Sequence, residues 1–197
     1  MFDQAMNNYR LALQYAKETD FAEGHIFTNL NISELCREIK QVRRGLAAMR
    51  ACYQHTKKVD VKSYYVSCFM EEIDYALLTN NIRKAQSLIR RLNAQARSEH
   101  DFSNIVYADI LRAKVSIASK KYAMARRQLD KAWVLLKPLP PSDMAGEILF
   151  LRGLAFKREG NYKKALTMFL SANRIFETIG DLRYLDKIER EITEGVK

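Results

Sequence analysis

GNYKKALTMFLSANRIF, residues 160–176, decides the fold because the chain repeats it. Forty residues earlier stands KKYAMARRQLDKAWVLL (120–136), with Tyr122 under Tyr162, Ala125 under Ala165 and Ala132 under Ala172. A further step of 40 lands on Ile82, Ala85 and Leu92, the next on Val42, Gly45 and Cys52, and the last on Ala5 and Ala12. One column therefore reads Ala5, Gly45, Ala85, Ala125, Ala165 without slippage. Several columns held in one frame identify an internal repeat, and periods of this size belong to stacked arrays.

Each unit reads as two helices. First helices are expected at 22–39, 62–79, 102–119 and 142–159, and second helices at 2–17, 42–56, 82–97, 122–137 and 162–178. Apolar residues recur at three and four spacing, as in Phe69, Met70, Ile73, Leu77 and in Leu129, Ala132, Trp133, Leu136. Caps and breakers fall in register: Thr19-Asp20, Asp60, Asp101, Pro140-Pro141-Ser142 and Gly180-Asp181, with Asn80-Asn81 and Gly160-Asn161 inside units. Strand alternation is absent, so the expected class is all-α: a right-handed superhelix of stacked antiparallel helix pairs with about ten helices. Small residues suit the close crossing of a hairpin's helices, leaving Met49, Ile89, Leu129 and Phe169 to fill the space between layers.

Gly153 and Phe156 on a first helix, then Gly160-x-Tyr162, Ala165, Phe169 and Ala172, resemble a tetratricopeptide (TPR) repeat. The 141–180 unit carries the resemblance best and the 101–140 unit next. The period of 40 exceeds the family's roughly 34, and Glu177 stands where a proline often closes the unit. The long period and the line LRAKVSIASKKYAMARRQLDKA resemble the arrays of bacterial signalling regulators, MalT-like and Rap-like. One solenoid is expected over 1–197: a second helix in 1–20, repeats 21–60, 61–100, 101–140 and 141–180, and a terminal helix in 181–197. A complete solenoid carries capping elements, so this phase reads as a segment of a longer protein, with self-association through the exposed solenoid ends as an accompanying expectation.

Composition narrows the function classes. The 197 residues are 48% hydrophobic and 28% charged with only seven Gly and three Pro, which argues against collagen, low-complexity disorder and a turn-rich sandwich. No run approaches the roughly 18 apolar residues of a membrane span, so no membrane role is expected. MFDQAMNNYR is not read as a secretory signal, and three cysteines without a CxxC point to a reducing, cytoplasmic setting. Cys36 and Cys52 read as small core hydrophobes. His25, His55 and His100 are scattered, and only His55 has a cysteine, Cys52, at helical spacing. Glu71, Glu72 and Asp74 read as a solvated acidic face. With no Walker loop, GxGxxG, GxSxG or HExxH, no catalytic residue, metal or cofactor is expected, and the chain reads as non-catalytic.

Two surfaces are candidates for binding. The resemblance implies that first helices line a concave groove, here Phe27, Leu30 and Glu34; Ser67, Met70 and Asp74; Tyr107, Ile110 and Lys114; Glu147, Phe150 and Leu154. Leu30, Met70, Ile110 and Phe150 share one column, read either as core or as the apolar floor for a peptide or helix. The Lys and Asn clamp of chaperone-docking relatives is not expected, because those columns are apolar or acidic in the first two units. The second surface is a basic stripe: Arg43-Arg44, Arg83-Lys84 and Lys163-Lys164 in the same two columns, flanked elsewhere by Lys120, Lys121, Arg126 and Arg127. Cations at a helix start oppose the macrodipole, and the net charge is +10. Residues 109–137 hold eight Lys+Arg against two acids, while Glu34, Glu38, Glu71, Glu72 and Asp74 make the early first helices acidic; such a groove would orient an extended ligand. The reading is a protein- or peptide-binding scaffold, a sensor or adaptor module in signalling or assembly. The alternative is nucleic-acid or acidic-surface binding along the stripe.

Overall fold

The structure is a computed structural model that describes residues 2–56, 59 and 62–193, the side chains at 62, 63, 65 and 183 excepted. The described residues form ten α-helices and no strand: α1 (Phe2–Glu18), α2 (Ala22–Glu38), α3 (Val42–Thr56), α4 (Lys62–Leu78), α5 (Ile82–Ser98), α6 (Phe102–Ala118), α7 (Tyr122–Leu136), α8 (Asp143–Arg158), α9 (Tyr162–Ile179) and α10 (Leu182–Thr193). The repeat reading places every one of them to within about a residue. None is long and apolar enough to cross a membrane.

The register is kept by a turn that recurs at half the repeat. Asp20, Lys40, Asn80, His100, Lys120, Gly160 and Gly180 all take positive φ, between 48° and 79°. After each, the next N–H (residues 21, 41, 81, 101, 121, 161 and 181) donates back to the carbonyl five residues earlier, at 2.7 to 3.0 Å. This is the Schellman arrangement, which satisfies helix-end carbonyls and turns the chain sharply. One helix and one turn thus consume 20 residues each time. Five of the seven positions are not glycine, although the left-handed region costs an L-residue about 1–2 kcal/mol. Asp20 is therefore the closing residue of α1 rather than a cap of α2, whose N-cap is Phe21. Asp101, Ser142 and Asn161 do cap: their side chains accept from the backbone N–H of Asn104, Ala145 and Lys164. Pro140 cannot take positive φ, and there α7 ends early and the turn lengthens. Asp60 lies outside the described residues.

Contacts gather into two compact units, Met1–Leu88 and Ile89–Lys197, with the boundary inside α5. In the first, α2 packs on α1, α3 and α4, and α3 on α4. In the second, α6–α7 and α8–α9 form hairpins, α7 and α6 also meet α8, and α10 packs on α9. The small column behaves as its chemistry requires: Ala85, Ala125 and Ala165 are at most 2% exposed, and Gly45 is buried. A Cβ at Gly45 would collide with the Tyr75 hydroxyl and sit 3.1 Å from the Cys36 Cβ. Gly153 makes room in the same way for the Phe169 ring, and Gly146 for Phe176. Met49, Ile89, Leu129 and Phe169 are all buried.

Candidate interaction surfaces

In the first unit the groove positions lie on α2 and α4. Phe27 is 52% exposed and meets Tyr64 edge-on, with ring centroids 5.1 Å apart. Leu30 is half-buried against Ile26, Cys52 and Cys68, and Met70 is half-buried too. In the second unit Tyr107 and Leu154 are half-buried, and the half-buried Phe150 packs against Phe169 and Tyr184, both at 5.8 Å. Of the two readings of its column, Ile110 takes the core one. It is wholly buried, in the cluster that holds Ala125, Leu129, Ala145 and Ile148, so it is core and lines no groove.

The charged positions of the groove are tied down. Arg37 Nε donates to Glu71 Oε1 at 3.0 Å, and its Nη2 lies 3.9 Å from Asp74 Oδ2. Ser33 donates to the same Glu71 oxygen, and the Tyr75 hydroxyl donates to the Ser33 carbonyl at 2.7 Å. Glu71 is therefore a buried, bonded carboxylate rather than part of a solvated face. Burial pushes its pKa up against the guanidinium; burial works against the Arg37 charge too, but Asp74 and Glu71 outweigh it and raise its pKa. In the second unit Lys114 Nζ bonds Glu147 Oε1 at 2.9 Å, and the Tyr184 hydroxyl donates to that oxygen at 3.0 Å. Asp74 and Lys114, the charges expected to orient a ligand, thus face internal partners.

These bonds repeat with the helices. Lys157 Nζ donates to Glu191 Oε2 at 2.7 Å, and Lys157 stands three repeats after Arg37 as Glu191 does after Glu71. Both pairs span 34 residues and join the end of one first helix to the next first helix. Within each unit, such a pair ties one first helix to the next: α2 to α4 in the first and α8 to α10 in the second.

The stripe is less free than it reads. Arg43, Arg83, Lys120, Lys121, Arg127 and Lys163 are exposed. Lys84, however, bonds Glu72 at 2.9 Å, and that carboxylate also accepts from the Tyr53 hydroxyl. Arg126 pairs with Glu159 and lies over the Phe156 ring at 4.8 Å, where Lys164 also lies, at 5.6 Å. Arg44 is half-buried near Cys36.

Some juxtapositions have no sequence signal. His25 stacks on His55 with centroids 4.2 Å apart and planes 6° from parallel. Cys52 and Cys68 are both wholly buried in one cluster, and their hydrogen bond, followed by burial, raises the Cys68 thiol so that it stays protonated. Cys36 is buried as well, in its own cluster with Ile32 and Ala48. Among the described residues no group of three or more His, Cys, Asp or Glu is placed to hold a metal ion. Compared with known protein families and with curated proteins, the chain finds no match in either.

Proposed function

We propose that the chain is a non-catalytic scaffold of TPR-like helix pairs that binds a protein or peptide, as a regulatory or adaptor module in the cytoplasm. The observation that carries this reading is the pairing of half-buried apolar side chains on first helices with ion pairs that fix those helices. Leu30 and Met70 accompany Arg37–Glu71; Phe150 and Leu154 accompany Lys114–Glu147 and Lys157–Glu191. A surface held in one shape before binding loses little order on association, which favours recognition of an extended or helical segment. The carboxylates with the chemistry to act as acids or bases, Glu71 and Glu147, are instead bonded to cations.

The test is capture from native lysate by the wild-type chain and by Phe27→Asp and Leu154→Asp variants whose melting is first shown to be unchanged. A protein bound by the wild type and lost by a variant supports the groove; equal capture by all three contradicts it. The exposed Arg43, Arg83 and Lys163 favour a second reading, binding of nucleic acid or another acidic surface. Its mark is steep salt dependence from counterion release.

A further inference from the structure

On α9, Tyr162, Leu166 and Leu170 are 57%, 43% and 50% exposed. They stand four residues apart, one above another on a single helix face, and make a straight apolar ridge about 12 Å long. Within the repeat, Leu170 is what sets the ridge apart. At the column of Leu170 the earlier second helices carry Arg10, Arg50, Arg90 and Asp130. In the preceding unit, Arg126 and Asp130 of α7 occupy the ridge columns and form ion pairs with Glu159 and Arg152 of α8. Beside α10 those charges become Leu166 and Leu170, and the counterpart of Arg152 is Ile192. Next to the ridge, between α9 and α10, lies a cavity of about 120 Å³ floored by Ala165, Phe169 and Ile192 and walled by the Lys157–Glu191 pair. It is large enough for one apolar anchor.

Cations gather at the start of the ridge. Arg158, Lys163 and Lys164 are exposed, and among the described residues none of them has an acidic partner. Two acids on the neighbouring helix ends are already paired, Glu159 with Arg126 and Glu191 with Lys157. Lys163 and Lys164 also sit in the first turn of α9, where cations oppose the helix dipole. An anionic partner relieves that repulsion, and complementary charge fixes register as well as rate of encounter.

We propose that the α9 face takes an amphipathic helix of a partner protein. That helix carries Leu- or Phe-sized anchors at i and i+4, one entering the α9–α10 cavity, and Glu or Asp along the flank that meets Lys163. The proposal rests on the protein-binding reading but places this contact on a second helix rather than in the groove. The ridge-and-cavity shape suits helix-on-helix packing, and the unpaired cations choose the acidic flank.

The probe is a synthetic helical peptide of about 18 residues, with Leu at three positions spaced by four and Glu on one flank. Its control replaces each Glu with Lys. Fluorescence anisotropy with the full chain is expected to show the acidic peptide binding at least about ten-fold tighter than the basic one at low salt. Leu170→Asp, at an exposed site that leaves melting unchanged, is expected to weaken it about ten-fold or more, and Lys163→Glu to reduce its preference over the basic peptide. Equal affinity for both peptides, or binding untouched by Leu170→Asp, overturns the proposal. So does Leu170→Asp abolishing instead a dimer of the chain or adhesion to anionic vesicles. The groove variant Phe27→Asp, in the other unit, is expected to bind the peptide normally. Loss of capture by that variant tests the groove reading on its own.

Discussion

Replacing Arg37 with Met removes the cation from Glu71 while keeping the length of the side chain. Glu71 is then a buried carboxylate left with Ser33, 3.3 Å away, as its side-chain donor. Breaking a fully buried pair costs about 3–5 kcal/mol because one charge is stranded. Here the side chains are 24% and 11% exposed, so water takes up part of the loss, and the expected cost is about 2–3 kcal/mol. For a unit of this size each kcal/mol is worth roughly 4–8 °C, giving a fall in melting temperature of roughly 10–20 °C. Urea and thermal unfolding, followed by circular dichroism, measure it. The double variant Arg37→Met/Glu71→Met removes the buried carboxylate as well, leaving only the more distant contact to Asp74 lost, and should recover most of the loss, so the cycle yields a favourable coupling of about 2 kcal/mol. The penalty should also shrink as pH falls and Glu71, already pushed up by burial, takes its proton. A loss below about 0.5 kcal/mol, or no recovery in the double variant, refutes the account of the pair as a lock between first helices.

Three further outcomes follow from named contacts. Ala125→Leu, at a site with no exposure, should cost about 1–3 kcal/mol by overpacking; an unaltered melting temperature would mean that the register is wrong. Gly160 and Gly45 separate backbone from packing: Gly160→Ala meets open space at φ +79° and should cost about 1–2 kcal/mol from conformation alone. Gly45→Ala must instead displace the Tyr75 hydroxyl from the Ser33 carbonyl, and should cost at least about 2 kcal/mol. Urea midpoints rank the two, and a larger loss at Gly160 refutes this. Finally, burial raises the pKa of Tyr75 and Tyr184, so the fold keeps protons that the unfolded chain releases near pH 10. Their contribution is intact below that pH and is lost progressively as pH rises from there toward the raised folded values. Tyr184→Phe should make the alkaline loss shallower; an identical profile contradicts the assignment.

The helices were legible because a strict period leaves each boundary almost no freedom: the small column at Ala85, Ala125 and Ala165 and the left-handed residues spaced by multiples of 20, from Asp20 to Gly180, agree. Burial within a column was less legible. Leu30, Met70, Ile110 and Phe150 are interchangeable in sequence, yet Ile110 sinks into the α6–α8 core while the others stay half-buried, because neighbours in three dimensions set the depth. The charged residues were least legible. Arg37 and Glu71 read as surface until stacked first helices bring residues 34 apart into contact. One clue existed, the recurrence of opposite charges at matched positions in Arg37/Glu71 and Lys157/Glu191. For the His25–His55 stack and the Cys52–Cys68 contact there was none, since each joins different helices at unrelated columns.

The most direct test of the scaffold reading is capture from native lysate with the full chain, washed at about 0.1 M and about 1 M salt, with nuclease treatment in parallel. The account predicts a specific protein retained through high salt and nuclease, because an apolar surface keeps its ligand when charges are screened. Recovery that vanishes with salt or nuclease contradicts it, and assigns the work to the exposed cations of the stripe and an acidic or nucleic-acid ligand.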